Sequence, residues 1–233
     1  MILFGLTLFF FRQIVFAGMI YPAADVQAAA GSLAPLEKAL RTGTYPLWTP
    51  YILSGMPSFA GMVYAPFATP PSLINWTLNL LFASPRRLDI WLHFLSAGIG
   101  MFVYLRWRRV GVGPALLGAL AFEFSVHLVG MVAFGHNNKL MTASYLPWAL
   151  WATERLLTTP GARRGATLSL LLGLQLLTGH LQMAYYTWLA VGVCALWWTV
   201  ARLSRSERET WTGTFRALGL LALALGLGLA LSG

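Results

Sequence analysis

Long apolar stretches separated by short polar connections make up most of this sequence. A helix needs about 20 mainly apolar residues to cross a bilayer, and the pattern contains about seven segments of that kind. They cover residues 1–20, 88–107, 114–134, 141–157, 166–178, 182–201 and 214–231. The sequence therefore predicts an all-α, polytopic transmembrane helix bundle, in which the fourth and fifth segments are short.

Residues 21–87 form the one long connection and predict structure of their own. Ser32 can cap a helix that places Leu33, Leu36 and Leu40 on one face and ends at Gly43. A second segment, 72–82, is apolar, too short to span, and bounded by prolines. It predicts a short helix that lies in the membrane interface.

Composition supports this class of protein. Of the 233 residues 58% are hydrophobic and 10% charged, with a mean hydropathy of +0.66, which is typical of an integral membrane protein. The length fits a single transmembrane domain over residues 1–233. Because the chain begins and ends inside apolar segments, we expect it to be the N-terminal part of a longer protein.

The net charge of +9 reflects basic residues in short clusters rather than one patch, which favours an anionic membrane surface over nucleic acid. Ten of the 16 basic residues fall in or beside three short connections on one side. They are Arg106, Arg108, Arg109, Arg155, Arg163, Arg164, Arg202, Arg205, Arg208 and Arg216. The positive-inside rule makes that side cytoplasmic and places the long loop 21–87 outside.

Ionisable residues gather on the opposite side or inside the predicted spans. Asp25 directly follows the first apolar segment. Glu123 and His127 stand four residues apart in one span, so we expect them to share a helix face. Such groups face a cavity or a partner, and two interpretations stay open: a structural hydrogen-bonded pair or a functional one. The spacing lacks the second histidine of an H-E-x-x-H zinc motif, so no dedicated metal site is predicted.

Two further polar clusters contain histidine. His136, Asn137 and Lys139 follow Gly135, and their imidazole, amide and ammonium groups suit a phosphate, although an ordinary polar turn has the same composition. His180, Gln182 and Tyr186 lie at the predicted outer mouth of the bundle, where the alternative is an aromatic belt.

The segment 43–57, GTYPLWTPYILSGMP, resembles the first outer loop of the bacterial YfhO-like membrane proteins. These belong to the C-type (GT-C) glycosyltransferases. The resemblance extends to Asp25, to the GHNNK motif at 135–139 and to the GHLQ motif at 179–182. Many C-type transferases carry paired acidic residues near the first loop, whereas here Ala24 precedes Asp25.

The resemblance implies a glycosyltransferase of the bacterial cytoplasmic membrane. It would move a sugar from a polyprenyl-phosphate carrier to a cell-envelope polymer or protein on the outer face. Asp25 would be the general base that deprotonates the acceptor hydroxyl. The residues implied in binding sugar or phosphate are Trp48, Arg86, Arg87, His136, Asn137, Lys139, His180, Gln182 and Tyr186. No cofactor is implied, and a loosely held divalent cation near Asp25 stays open.

Two other classes of function compete with the transferase. A transporter or flippase of lipid-linked sugars would use Glu123 and His127 as a proton-coupling pair. An assembly factor without catalytic activity would keep the fold, and transfer would then survive the change Asp25→Asn.

Overall fold

A computed structural model describes residues 1–19, 42, 48–49, 54–57, 69–82, 88–204 and 208–231. Within these residues the protein is helical apart from one small β-ladder. The helices are α1 (Ile2–Phe10), α2 (Arg12–Ala17), α3 (Pro70–Phe82), α4 (Leu88–Trp107), α5 (Val112–Glu123), α6 (Val126–Ala133), α7 (Asn137–Ala143), α8 (Leu146–Thr158), α9 (Ala162–Leu176), α10 (Leu181–Leu203) and α11 (Arg208–Ala230). The prediction of an all-α membrane protein is confirmed at this level.

Four helical segments are long and apolar enough to cross a membrane: Leu88–Trp107, Val112–Ala133, Leu181–Leu203 and Trp211–Ala230. They match four of the seven predicted spans. The other three predicted spans correspond to shorter helices in the described residues. The first is divided between α1 and α2, the fourth between α7 and α8, and the fifth is α9 with 15 residues.

Two groups of helices form the core. In the first group, α4 packs against α1, α2, α6 and α7. The buried side chains at this contact include Phe11, Phe94, Leu128 and Leu140. A second group of buried side chains joins α8, α9, α10 and α11. In that group α9 and α11 approach closely, because a Cβ on Gly173 would lie 3.3 Å from the Gly228 carbonyl oxygen. Small residues at a contact allow this kind of close helix packing in membranes.

The bundle has two chemically distinct ends. At the first, which we name the arginine end, Arg108 contacts Glu154 and Arg155 lies over the Trp107 ring. This end comprises Arg106, Arg108, Arg109, Arg155, Arg163, Arg164 and Arg202. The second, the histidine end, comprises the start of α4 and the connections α6–α7 and α9–α10, with His136, Lys139 and His180.

Two parts of the predicted long loop lie within the described residues. Trp48–Thr49 pairs with Met56–Pro57 as a short antiparallel ladder. Helix α3 confirms the predicted helix at 72–82 and begins two residues earlier, at Pro70, where a proline is favourable. The side chain of Asn75 on α3 accepts a hydrogen bond of 2.9 Å from the Leu88 amide at the start of α4. The predicted helix at Ser32–Gly43 lies outside the described residues.

Candidate functional site

Helix α6 ends in a turn that positions His136. Gly135 has φ +79°, a left-handed conformation that glycine adopts without strain. The Gly135 amide donates to the Val132 carbonyl at 3.1 Å and the His136 amide to the Met131 carbonyl at 2.7 Å. These two bonds form a Schellman motif, which fixes the direction in which the chain leaves α6. His136 is then the residue where α7 begins.

Helix α9 is followed by a similar turn. Gly179 has φ +80°, and His180 is the N-cap residue of α10. Its Nδ1 accepts a hydrogen bond of 3.2 Å from the Met183 amide, which satisfies one of the free amides of the first turn. Since Nδ1 accepts, the neutral ring carries its proton on Nε2, and that N–H is a hydrogen-bond donor.

A buried polar network holds these two turns together. The Thr142 and Thr178 hydroxyls lie 2.5 Å apart, which joins α7 to the turn before His180. The Gln175 amide nitrogen donates to the Thr142 carbonyl at 3.0 Å and to the Thr187 hydroxyl at 2.8 Å. Gln175, Thr142, Thr178 and Thr187 are all buried. The network therefore fixes the position of α7, with Lys139 on it, relative to His180.

The structure thus brings three predicted binding residues to one place. His136, Lys139 and His180 are half-buried, and Asn137 is the first residue of α7 between them. The pKa of His180 is lowered by burial first and then by the charges of Lys139 and His136. The effect on His180 is consistent with Lys139 and His136 lying near its ring. Together they present N–H donors and positive charge, the chemistry that binds a phosphate or a carboxylate.

The remaining predicted residues are distributed differently. Gln182 and Tyr186 are exposed on α10, where the Gln182 amide donates to the Tyr186 hydroxyl at 2.8 Å. Trp48 is 58% exposed in the β-ladder, and its indole lies over Gly55 (φ +112°). Asp25, Arg86 and Arg87 lie outside the described residues.

The expectation that Glu123 and His127 share a helix face is wrong. The predicted single span breaks at Phe124 and Ser125, and Ser125 caps the new helix α6 by accepting a bond from the Leu128 amide. Glu123 is fully buried, whereas His127 is exposed. The partner of Glu123 is Thr7 on α1, with 2.5 Å between the Thr7 hydroxyl and the Glu123 Oε1.

A second buried network at the histidine end was not predicted. His93, which is fully buried on α4, contacts the Ser144 hydroxyl through Nδ1 at 3.0 Å and the Thr69 hydroxyl through Nε2 at 3.3 Å. The Thr69 hydroxyl in turn donates to the Ser72 hydroxyl at 2.9 Å. Asp89 is also fully buried, one turn before His93. The one signal in the sequence was the pair Asp89 and His93, four residues apart in an apolar helix.

His93 connects three elements that are far apart in the sequence. Thr69 and Ser72 belong to the start of α3, His93 to α4, and Ser144 to the end of α7. Because α7 also carries Lys139, this network contributes to the position of Lys139 relative to His136 and His180. Within the described residues no group of three or more His, Cys, Asp or Glu side chains could hold a metal ion.

The sequence and the structure were compared with known proteins. No protein-family profile, no curated protein and no solved structure matches this chain. Its site is therefore described by its own residues: a half-buried cluster of His136, Lys139 and His180, supported by two buried hydrogen-bond networks.

Proposed function

We propose that the protein is a glycosyltransferase of the bacterial cytoplasmic membrane that uses a polyprenyl-phosphate-linked sugar at its histidine end. In this proposal the chain spans the membrane about seven times. The loop 21–87 faces outside, and Asp25 removes the proton of the acceptor hydroxyl. The observation that carries the proposal is the convergence of His136, Lys139 and His180.

The proposed role of this cluster is to bind the phosphate of the carrier. When the sugar is transferred, the carrier leaves as an anion, and positive charge with N–H donors stabilises that charge in the transition state. Lys139 has no carboxylate within ion-pair distance among the described residues, so its ammonium is available to a ligand. Neutral His180 supplies its Nε2–H.

Helix α3 supports the lipid-linked nature of the substrate. Its exposed side chains include Leu73, Ile74, Trp76, Leu80 and Leu81, each at least 46% exposed. Its other face is held to α4 by Asn75 and by the Thr69–Ser72–His93 contacts. An apolar helix surface at the same end of the bundle as the proposed phosphate-binding cluster suits a substrate with a long hydrocarbon chain and a charged head group.

A transfer assay tests this function. Membranes containing the full-length protein would be incubated with a panel of polyprenyl-phosphate-linked sugars, and transfer to acceptor would be measured. We expect Asp25→Asn to lower the rate by about 10²- to 10⁴-fold, the usual contribution of a general base. Lys139→Gln should raise KM for the donor by about tenfold through loss of one charge-assisted contact. The control Arg216→Gln removes one positive charge from α11 and should leave transfer unchanged.

A flippase for the same lipids is the alternative, and one observation favours it. The Glu123 carboxyl is fully buried, and its Oε2 has no hydrogen-bond partner among the described residues. Flipping of a fluorescent polyprenyl lipid in proteoliposomes distinguishes the two functions. If Glu123→Gln abolishes flipping and no donor supports sugar transfer, the flippase function would replace the transferase function. Transfer that survives Asp25→Asn would instead leave Asp25 without a catalytic role.

A further inference from the structure

A cavity of about 420 Å³ lies at the arginine end, between the end of α8 and the start of α9. Its lining includes Arg155, Arg163 and Arg164, with Trp151 and Thr167. This volume lies within the range of small-molecule sites. It is on the opposite end of the bundle from His136, Lys139 and His180, so it is separate from the proposed transfer site.

Among the residues that the structure describes, no carboxylate neutralises the positive charge of this cavity. None of Arg155, Arg163 and Arg164 lies within ion-pair distance of a carboxylate in the described part of the chain. The neighbouring Glu154 is already engaged, because Arg108 contacts it at 3.1 Å and the Tyr104 hydroxyl donates to it at 3.0 Å. Three guanidiniums around one cavity repel one another, and an anion relieves that repulsion.

Each arginine is held in a different way. The Arg155 guanidinium stacks over the Trp151 ring, 4.6 Å from its centroid. Stacking occupies the face of the guanidinium and leaves its edge N–H groups for a ligand. Arg164 donates to the Thr159 carbonyl, which places it across the connection between the two helices. Arg163 is exposed, and its side chain has no hydrogen-bond partner among the described residues.

The backbone adds donors to the same cavity. Gly161, the N-cap residue of α9, has no side chain that could satisfy the amides of the first helical turn. The Arg164 amide donates to the Gly161 carbonyl at 3.1 Å, which leaves the amides of Ala162 and Arg163. These two amides and the positive end of the α9 dipole favour an anion. Three arginines and an uncapped helix start therefore converge on one space large enough for a phosphate and its substituent.

We propose that this cavity binds a phosphate group through Arg155, Arg163 and Arg164. The chemistry is the same whether the phosphate belongs to an anionic phospholipid head group or to a soluble phosphate ester. Arginine forms bidentate contacts with phosphate oxygens, and the apolar ring of Trp151 contacts whatever the phosphate carries.

Binding to the purified full chain in neutral detergent tests the proposal. The probes are dihexanoyl phosphatidylglycerol below its micelle concentration, dihexanoyl phosphatidylcholine and inorganic phosphate. We expect one saturable site for phosphatidylglycerol or for phosphate, and weaker binding of phosphatidylcholine. The pair Arg163→Gln with Arg164→Gln should raise Kd by about tenfold or more, and Arg163→Gln alone by about threefold, from lost charge-assisted contacts.

The matched control is the pair Arg109→Gln with Arg216→Gln, which removes the same charge outside the cavity and should change Kd less than about twofold. Tighter binding of phosphatidylglycerol than of inorganic phosphate identifies the lipid head group, and equal binding identifies a soluble phosphate. No saturable binding of either probe would overturn the proposal. Equal weakening by both pairs of substitutions would also overturn it, because it would show attraction to general surface charge.

Discussion

The two ends of the bundle hold their polar groups in opposite ways. At the arginine end charges lie at the surface, where the Arg108 side chain is 59% exposed while it pairs with Glu154. At the histidine end, polar groups are inside: His93 and Gln175 are both fully buried and hydrogen-bonded. Surface charges act over a distance and are screened by salt, whereas buried hydrogen bonds depend on the placement of each atom. At the histidine end, therefore, stability depends on the exact positions of hydrogen-bonding atoms more than on net charge.

The strongest test of this comparison replaces two histidines. His93→Ala should lower the free energy of unfolding by about 2–4 kcal/mol, because it leaves a cavity and removes the partners of buried hydroxyls. His127→Ala, on the exposed surface, should change it by less than about 0.5 kcal/mol. Chemical denaturation of both variants in one detergent measures the difference. Similar losses in the two variants would mean that the buried hydrogen bonds of His93 add no stability, and the contrast with the surface charges of the arginine end would then fail.

At the arginine end we expect a smaller and salt-dependent effect. Glu154 raises the pKa of Arg108 through its charge and a hydrogen bond, so the pair is attractive. Because Arg108 is largely exposed, the coupling should be at most about 1 kcal/mol and should fall as salt is added. A double-mutant cycle with Arg108→Gln and Glu154→Gln, run at low and high salt, measures it. A coupling energy that does not change with salt would show that this pair behaves like the buried hydrogen-bond networks rather than like a surface ion pair.

The smallest expected effect is the pH dependence from His180. Its pKa is lowered in the folded protein, so the unfolded chain binds the proton more tightly. This contribution to stability is complete above the unfolded pKa of about 6.5 and falls as the pH drops below that value.

The variant His180→Asn separates titration from capping, since asparagine is also a favourable N-cap residue. Melting temperatures of wild type and variant, measured from about pH 7.5 to about pH 5, should diverge toward acid, with the variant losing less. Parallel curves would show that His180 does not contribute to the acid sensitivity.

Apolar periodicity predicted the helices better than their interruptions. The prediction for residues 88–107 coincides with α4, and 182–201 lies within α10. The break before Ser125 was missed, since a serine in an apolar run fits a continuous helix as well as a cap. Pro147 near the start of α8 was a usable signal that 141–157 is not one helix. The predicted span 166–178 missed the first turn of α9, which begins at Ala162, because the charged residues Arg163 and Arg164 interrupt the apolar pattern.

The candidate site was predictable only in part. The two Gly–His pairs indicated turns, and the structure brings His136, Lys139 and His180 together. The networks that hold them could not be predicted, because their contacts join residues far apart in sequence. Thr142 and Thr178 are 36 positions apart, and His93 and Ser144 are 51. Single threonines and serines in apolar helices carry no sign of which partner they meet.

Glu123 has a consequence for the order in which the chain is assembled. An ionisable side chain at the centre of a lipid-exposed helix costs about 2.5–3.5 kcal/mol or more, and Glu123 lies near the middle of the apolar segment Val112–Ala133, so this segment alone is a poor span. The Glu123 carboxyl is buried against the Thr7 hydroxyl, which donates to it, and against Gly98, where a Cβ would collide with the carboxyl. Both residues precede Glu123 in the chain. During synthesis from the N-terminus, the helices that receive this carboxyl are therefore made before it leaves the ribosome.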